Sequence, residues 1–168
     1  MSKQKAVILG IDPSVNHMGW GVISVQNSTS AVYVKSGTIF TNRVASTGAK
    51  LAKIFAELNK IIVENEITDV ALETVFLDKD LVATLSLSYA RGIIMMLASQ
   101  HNLDLIEVHA SNVKKTVSGS GRASKDQVKY MIETLLKPAK PETQDESDAL
   151  AIAYTSFINI TTRNLFVC

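Results

Sequence analysis

Three strand-length apolar segments fill most of the first forty residues, and the remainder of the chain alternates between helical and strand periodicity. Ala6 to Asp12, Gly19 to Val25 and Ala31 to Phe40 follow one another closely, with the turn-like Gln26 to Ser30 between the second and third, which is the pattern of an antiparallel meander. From Thr47 to Asn65 the period changes: Leu51, Ile54, Phe55, Leu58, Ile61 and Ile62 recur at spacings of three and four and define one apolar helix face. A fourth strand, Asp69 to Glu73, then a long helix from about Asp80 to His101, a fifth strand, Asp104 to Val108, and helices beginning near Asn112, Ser124 and Asp145 complete the chain. Ser124 is a suitable N-cap for a helix covering Lys125 to Leu136. The pattern predicts an α/β domain: a mixed five-stranded sheet, meander first and parallel strands after, with helices on both faces.

The chain has 168 residues, 46% of them hydrophobic and 20% charged, which suits one domain with a sizeable core. We place that domain at residues 1–160 and a tail without any recognisable motif at 161–168. No linker or internal repeat interrupts it, and no uninterrupted apolar stretch is long enough to cross a bilayer, Gly92 to Ala98 being far too short. The start, Met1 to Lys5, runs straight into strand without the longer apolar region of a signal peptide, so the expectation is a cytoplasmic protein with no membrane partner. Cys168, the only cysteine, is terminal, which excludes an internal disulfide framework and a cysteine-ligated zinc site.

The long helix has more apolar residues than one sheet can bury. Leu81, Val82, Leu85, Leu87, Tyr89, Ala90 and Ile93 to Leu97 spread over more than one face. Either a second helix covers the surplus or it forms a homodimer seam.

Four carboxylates sit where apolar segments end or begin. Asp12 closes Ala6 to Ile11 and precedes Pro13, and Glu73 closes Asp69 to Leu72, so two buried strands each deliver an acid to a sheet edge. Asp145 and Asp148, three residues apart, lead into Ala149 to Phe157 and share one face of a helix's first turn. Three of them have a simpler explanation, and Asp148, pressed against Ala149, Leu150 and Ala151, is less easily dismissed. Asp12 is a turn former before proline, Glu73 a salt-bridge partner for Lys or Arg, and Asp145 a first-turn acid favoured by the helix dipole. Together they form a set of oxygen donors suited to a hard divalent cation such as magnesium.

Net charge is only +1, but basic residues are concentrated in one region. Lys114, Lys115, Arg122, Lys125 and Lys129 flank Ser118-Gly119-Ser120-Gly121 against a single acid, Asp126. A small-residue basic loop can lay amides and cations along phosphates, although an ordinary solvated loop before a capped helix has the same composition.

At this point the chain resembles the RuvC-type Holliday-junction resolvases, which share the ribonuclease-H-like fold. The resemblance covers nearly the whole length. Its carriers are Ile8 to Pro13 with Gly19 to Ile23, then Leu72 to Phe76, Tyr89 to Gly92, Val113 to Gly121, and Asp145 to Ala153. The resemblance implies that Asp12, Glu73, Asp145 and Asp148 are metal-binding acids. It also places a DNA-contacting phenylalanine at Phe76 and two functional lysines at Lys114 and Lys125, with Lys115 and Arg122 as further DNA-binding candidates. Ser14 stands where many members have glycine, adding a hydroxyl near the acids, and we expect it to be tolerated.

The expected chemistry is phosphodiester hydrolysis by two magnesium ions, manganese being the alternative, roughly 4 Å apart, one activating water and the other stabilising the leaving 3′ oxygen. Asp12 would bridge the ions. Lys125 would meet charge on the phosphoryl oxygens, Lys114 would clamp a phosphate, and Phe76 would stack on an unpaired base. The expected substrate is a four-way DNA junction cut by a symmetric homodimer, with a branch-migration helicase as a further partner. Rival readings are a nuclease of the same fold acting on structured RNA, a non-catalytic junction-binding protein, and an actin-like kinase, for which the chain is too short.

Overall fold

The computed structural model describes residues 6–44, 46–74 and 80–165, with side chains to residue 162. Five strands form one sheet: β1 (Val7–Asp12), β2 (His17–Asn27), β3 (Ser30–Phe40), β4 (Asp69–Glu73) and β5 (Asp104–Val108). Their spatial order is β3-β2-β1-β4-β5. The first three pair antiparallel, whereas β1 with β4 and β4 with β5 are parallel. This is the mixed sheet the sequence predicts. In register, Asp12 lies opposite Gly19, Ile11 beside Leu72, and Glu73 beside Val108, so the ends of β1 and β4 reach the same sheet edge.

Successive strand residues face opposite sides, and each side has its own core. On one, Leu9, Ile11, Trp20 and Val22 pack against helices α1 (Thr47–Glu64) and α2 (Leu81–Gln100) through Ile54, Leu58, Ile94 and Leu97. On the other, Ile8, Ile23, Ala71 and Val108 meet α3 (Ala110–Ser118), α4 (Lys125–Leu135) and α5 (Gln144–Leu165). Each fully buried aliphatic side chain contributes about 1.5–3 kcal/mol, so the two layers together hold the sheet rigid. The apolar face expected of α1 is the buried one: Ile54, Leu58, Ile61 and Ile62 are inside and Leu51 and Phe55 partly so. Ser46 caps that helix, accepting from the Ala49 amide.

Helix α2 corrects one expectation. Counted only as an uninterrupted apolar run, Gly92 to Ala98 is too short to span a bilayer. The helix, with Ser, Thr, Tyr and Arg91 interspersed, has 20 residues and contains an 18-residue window of mean hydropathy 1.6, long and apolar enough by length and composition. In the fold it lies against α1 and β5, with Ala90, Ile94, Leu97 and Ala98 buried. Leu81, Leu85, Tyr89, Met95 and Met96 are exposed on the other side, so a second helix covers only part of the apolar surplus.

Helix α5 lies on β1 and β2. Two glycines make this approach possible: a Cβ on Gly10 would lie 2.1 Å from the Ala149 carbonyl oxygen, and one on Gly19 2.1 Å from that of Asp145. Only hydrogen fits at either place. The helix starts one residue earlier than Asp145 and runs to Leu165, past residue 160, after which the sequence reading begins a tail. Its start is tied to β3. Thr143 Oγ1 accepts from the Glu146 amide at 3.1 Å and pairs with Thr38 Oγ1 at 2.7 Å, while the Glu146 carboxylate accepts from Ser36 Oγ at 3.0 Å. Glu146 is thereby buried with its charge hydrogen-bonded, as burial of a carboxylate requires.

Candidate active site

Asp12 ends β1, Glu73 ends β4, and Asp145 and Asp148 stand in the first two turns of α5, which the glycine contacts press against the ends of β1 and β2. The structure therefore brings all four acids to one edge. Their mutual influence is electrostatic as well as geometric. Burial pushes the Asp12 carboxyl up to about 7, and the neighbouring charges of Asp148, Asp145 and Glu73 add to the rise, with Lys125 opposing them. Glu73 is also raised, first by burial and then by Asp148, while Lys114 and Lys125 pull it down.

The simpler role of Asp145 stands, since it lies in the first turn of α5, but those of Asp12 and Glu73 do not. In the turn after β1 the amides of Asn16 and His17 donate to Ser14 Oγ at 3.2 and 3.3 Å, so Ser14, not Asp12, is the turn's side-chain acceptor. That hydroxyl serves the backbone. The arginine beside Glu73 is Arg91, and it binds the Glu73 carbonyl oxygen at 2.6 Å, not the carboxylate.

Lys125 Nζ lies 3.3 Å from Asp148 Oδ2, and Gln144 Nε2 lies 2.8 Å from Asp148 Oδ1. Ser124 positions Lys125 by starting α4 with a reciprocal cap: its hydroxyl accepts from the Gln127 amide, and the Gln127 side chain accepts from the Ser124 amide. The predicted cap is therefore present, and α4 ends at Leu135 with Leu136 as its C-cap. A cleft of about 260 Å³ is lined by Glu73, Ala110, Val113, Lys114, Lys125, Val128, Asp148 and Ile152. Its apolar floor and paired lysines can hold a phosphodiester against the carboxylates. Lys115 and Arg122 lie outside this lining, exposed at the end of α3 and in the following loop. Phe76 lies outside the described residues.

The donor set suits a hard divalent cation: four carboxylates, one of them raised to about 7 by burial and then by the others, leave negative charge that a cation would relieve. Among the described residues, no three of these side chains close tightly enough to enclose an ion as they stand. Asp148 is engaged instead by an ammonium and an amide. Two residues have roles at the site that a reading of the sequence does not supply, Gln144 and Arg91, the latter entering it only within the Tyr89 to Gly92 motif. The first carried a usable signal, since Gln144 precedes Asp148 by four on one helix, the spacing at which such side chains bond.

The family model for "Crossover junction endodeoxyribonuclease RuvC" matches residues 8–156. The chain belongs to the RuvC family. RuvC of Rickettsia africae is 42% identical over 153 residues, spanning 90% of this chain and 97% of that protein, and RuvC of Rickettsia prowazekii is 41% identical over the same extent. Among solved structures, Thermus thermophilus RuvC in complex with a Holliday junction substrate superposes with a TM-score of 0.87 at 24% identity, covering 94% of this chain and 96% of that one. The yeast mitochondrial Holliday junction resolvase superposes at 0.63 with 12% identity, over 94% and 85% of the two chains. At these identities the two structures speak for the fold: the RuvC architecture accounts for the sheet order and for helices on both faces.

Proposed function

We propose that the chain is a structure-selective, metal-dependent endonuclease that resolves four-way DNA junctions by paired nicks, as a crossover junction endodeoxyribonuclease of recombination and repair. The observation that carries this reading is the meeting of Asp12, Glu73, Asp145 and Asp148 beside Lys125 in a RuvC-family chain. Asp12, Glu73, Asp145 and Asp148 would hold the ions, magnesium or manganese and two in number. Bound there, such ions supply an acidified water as nucleophile and positive charge against the leaving 3′ oxygen.

The chain's own residues do the rest. The raised pKa of Asp12 means that the metal-free site retains a proton there near neutral pH and releases it when a cation arrives. Lys125, now paired with Asp148, is within reach of a phosphoryl oxygen in the same cleft and offsets the charge that builds there. Lys114 fixes the phosphate on the other side, and Lys115 and Arg122 hold the strand further out. Phe76, three residues after Glu73, stacks on a base left unpaired at the branch point.

Resolution needs two like cuts related by approximate two-fold symmetry, which two copies of one site provide. The exposed face of α2, Leu81, Leu85, Tyr89, Met95 and Met96, is apolar enough for such a pairing. A helicase that drives branch migration would supply the substrate, and the cytoplasm is the compartment consistent with such work.

The test is cleavage of a synthetic mobile four-way DNA junction with and without magnesium, for the natural chain and for Asp12→Asn. Symmetric nicks that require both metal and Asp12 are expected. Junction binding without cutting would replace this reading with an architectural one, and inactivity on the junction with cleavage of structured RNA would move the substrate class.

A further inference from the structure

Arg91 belongs to a motif that the cleavage chemistry leaves unused, and it is the charged residue in the middle of an otherwise uncharged helix. Its side chain is only 14% exposed. One guanidinium nitrogen donates to the Glu73 carbonyl oxygen at 2.6 Å, and another bonds the Glu107 carboxylate on β5. On the far side of the same peptide unit, the Thr74 amide donates to the Val108 carbonyl oxygen at 2.8 Å. Thr74 Oγ1 lies 2.8 Å from His109 Nδ1, which adds a second tie to the chain just after β5.

The peptide between Glu73 and Thr74 is thus held at both its oxygen and its nitrogen. This matters because the β1–β4 ladder ends at the Ile11–Leu72 pair, one residue before Glu73. Beyond that point only the β5 side of the sheet holds the chain, and Arg91 supplies the missing partner. A planar fork with two donors can bridge a carbonyl and a carboxylate at once, whereas a lysine ammonium is a point charge without that geometry. The charge of Arg91 is met by Glu107, so its hold on the site runs through the main chain.

We propose that Arg91 is a positioning residue for the acid cluster: by clamping the peptide that follows Glu73, it fixes where that carboxylate points and so sets the affinity of the cluster for divalent metal. The inference rests on the metal-binding reading given above. Groups that orient metal ligands typically change metal affinity by about 10–100-fold when removed.

The experiment titrates Mg2+ against the full chain, reading the rise in Tm and, separately, single-turnover junction cleavage, for the natural protein, Arg91→Lys and Glu107→Gln. Junction Kd is measured in EDTA. The expected result is an Mg2+ midpoint about 10-fold higher in both readouts for Arg91→Lys, with cleavage largely recovered at saturating Mg2+ and junction Kd within about twofold of the natural value. Glu107→Gln, which leaves the arginine but loosens its seat, should move the midpoint in the same direction by less. An Arg91→Lys midpoint equal to the natural one overturns the inference, as does weakened junction binding with an unmoved midpoint, which would make Arg91 a DNA contact. If Arg91→Lys fails to fold, Glu107→Gln decides, and an unmoved midpoint there overturns the inference. A natural chain whose Tm ignores Mg2+ instead defeats the metal reading beneath it.

Discussion

Lys125 Nζ lies 3.3 Å from Asp148 Oδ2, so a cation from the start of α4 already sits among the acids at the start of α5. The lysine side chain is 72% exposed and unconfined, which lets it leave Asp148 for a phosphoryl oxygen when substrate arrives. Lys125→Ala should lower single-turnover cleavage by about 10²–10³-fold, the cost of losing one donor to developing negative charge. The Mg2+-dependent rise in Tm should persist. Cleavage at the natural rate would remove Lys125 from the chemistry.

Asp12 makes stability depend on pH with a definite sign. Its carboxyl titrates near 3.8 when unfolded and about 7 when folded, so across that window the folded chain binds the extra proton and stability falls as pH rises. At about 1.4 kcal/mol per pH unit, the ionised group costs the metal-free fold up to about 4 kcal/mol above pH 7, and nothing below the unfolded value. Asp12→Asn should therefore stabilise the metal-free protein, by about 2–3 kcal/mol more at pH 8 than at pH 5. Urea unfolding in EDTA at the two pH values measures this. A gain that does not grow with pH would show that the carboxyl is not held up by burial and its neighbours.

The exposed side of α2 separates pairing from folding. Leu85 and Met96 are 52% and 47% exposed, whereas the adjacent Leu97 is buried at 1% and unsuitable for such a test. Leu85→Glu with Met96→Glu should halve the mass found by analytical ultracentrifugation, leave Tm unchanged within about 2 °C, and convert paired nicks into single ones. An unaltered mass would assign the face to something other than a second copy.

Gly19 tests the seat of α5. The methyl of Gly19→Ala would meet the Asp145 carbonyl at 2.1 Å, forcing the helix start away from the sheet. Overpacking of this kind costs about 1–3 kcal/mol, here with cleavage lost well beyond the drop in stability, because Asp145 and Asp148 move with the helix. Thermal melts and cleavage rates on the same preparation compare the two. Retained activity at reduced stability would mean that the acids keep their places when the helix shifts.

Much of this was legible in the sequence because it follows from periodicity. The α1 face, the cap at Ser124 and the strand ends at Asp12 and Glu73 are each set by residues close together in the chain. What escaped depends on partners far apart in sequence: Ser36 with Glu146, Thr38 with Thr143, and Arg91 with the Glu73 carbonyl. No local pattern announces that a serine on an edge strand will satisfy a carboxylate one hundred and ten residues later. The bilayer estimate for α2 failed for the opposite reason, since hydropathy was judged over a run too short to average across its polar residues.

The close approach at Gly10 and Gly19 also bears on how such a chain can diverge. Where α5 meets β1 and β2 there, the contact includes main-chain oxygens, atoms that every residue type shares. The offset between the strand-end acids and the helical acids is therefore written partly in covalent geometry, not in the sizes of the side chains behind them. Aliphatic residues in either core can be exchanged over generations with little retuning of the site, while replacing the hydrogen on either glycine moves the helix itself.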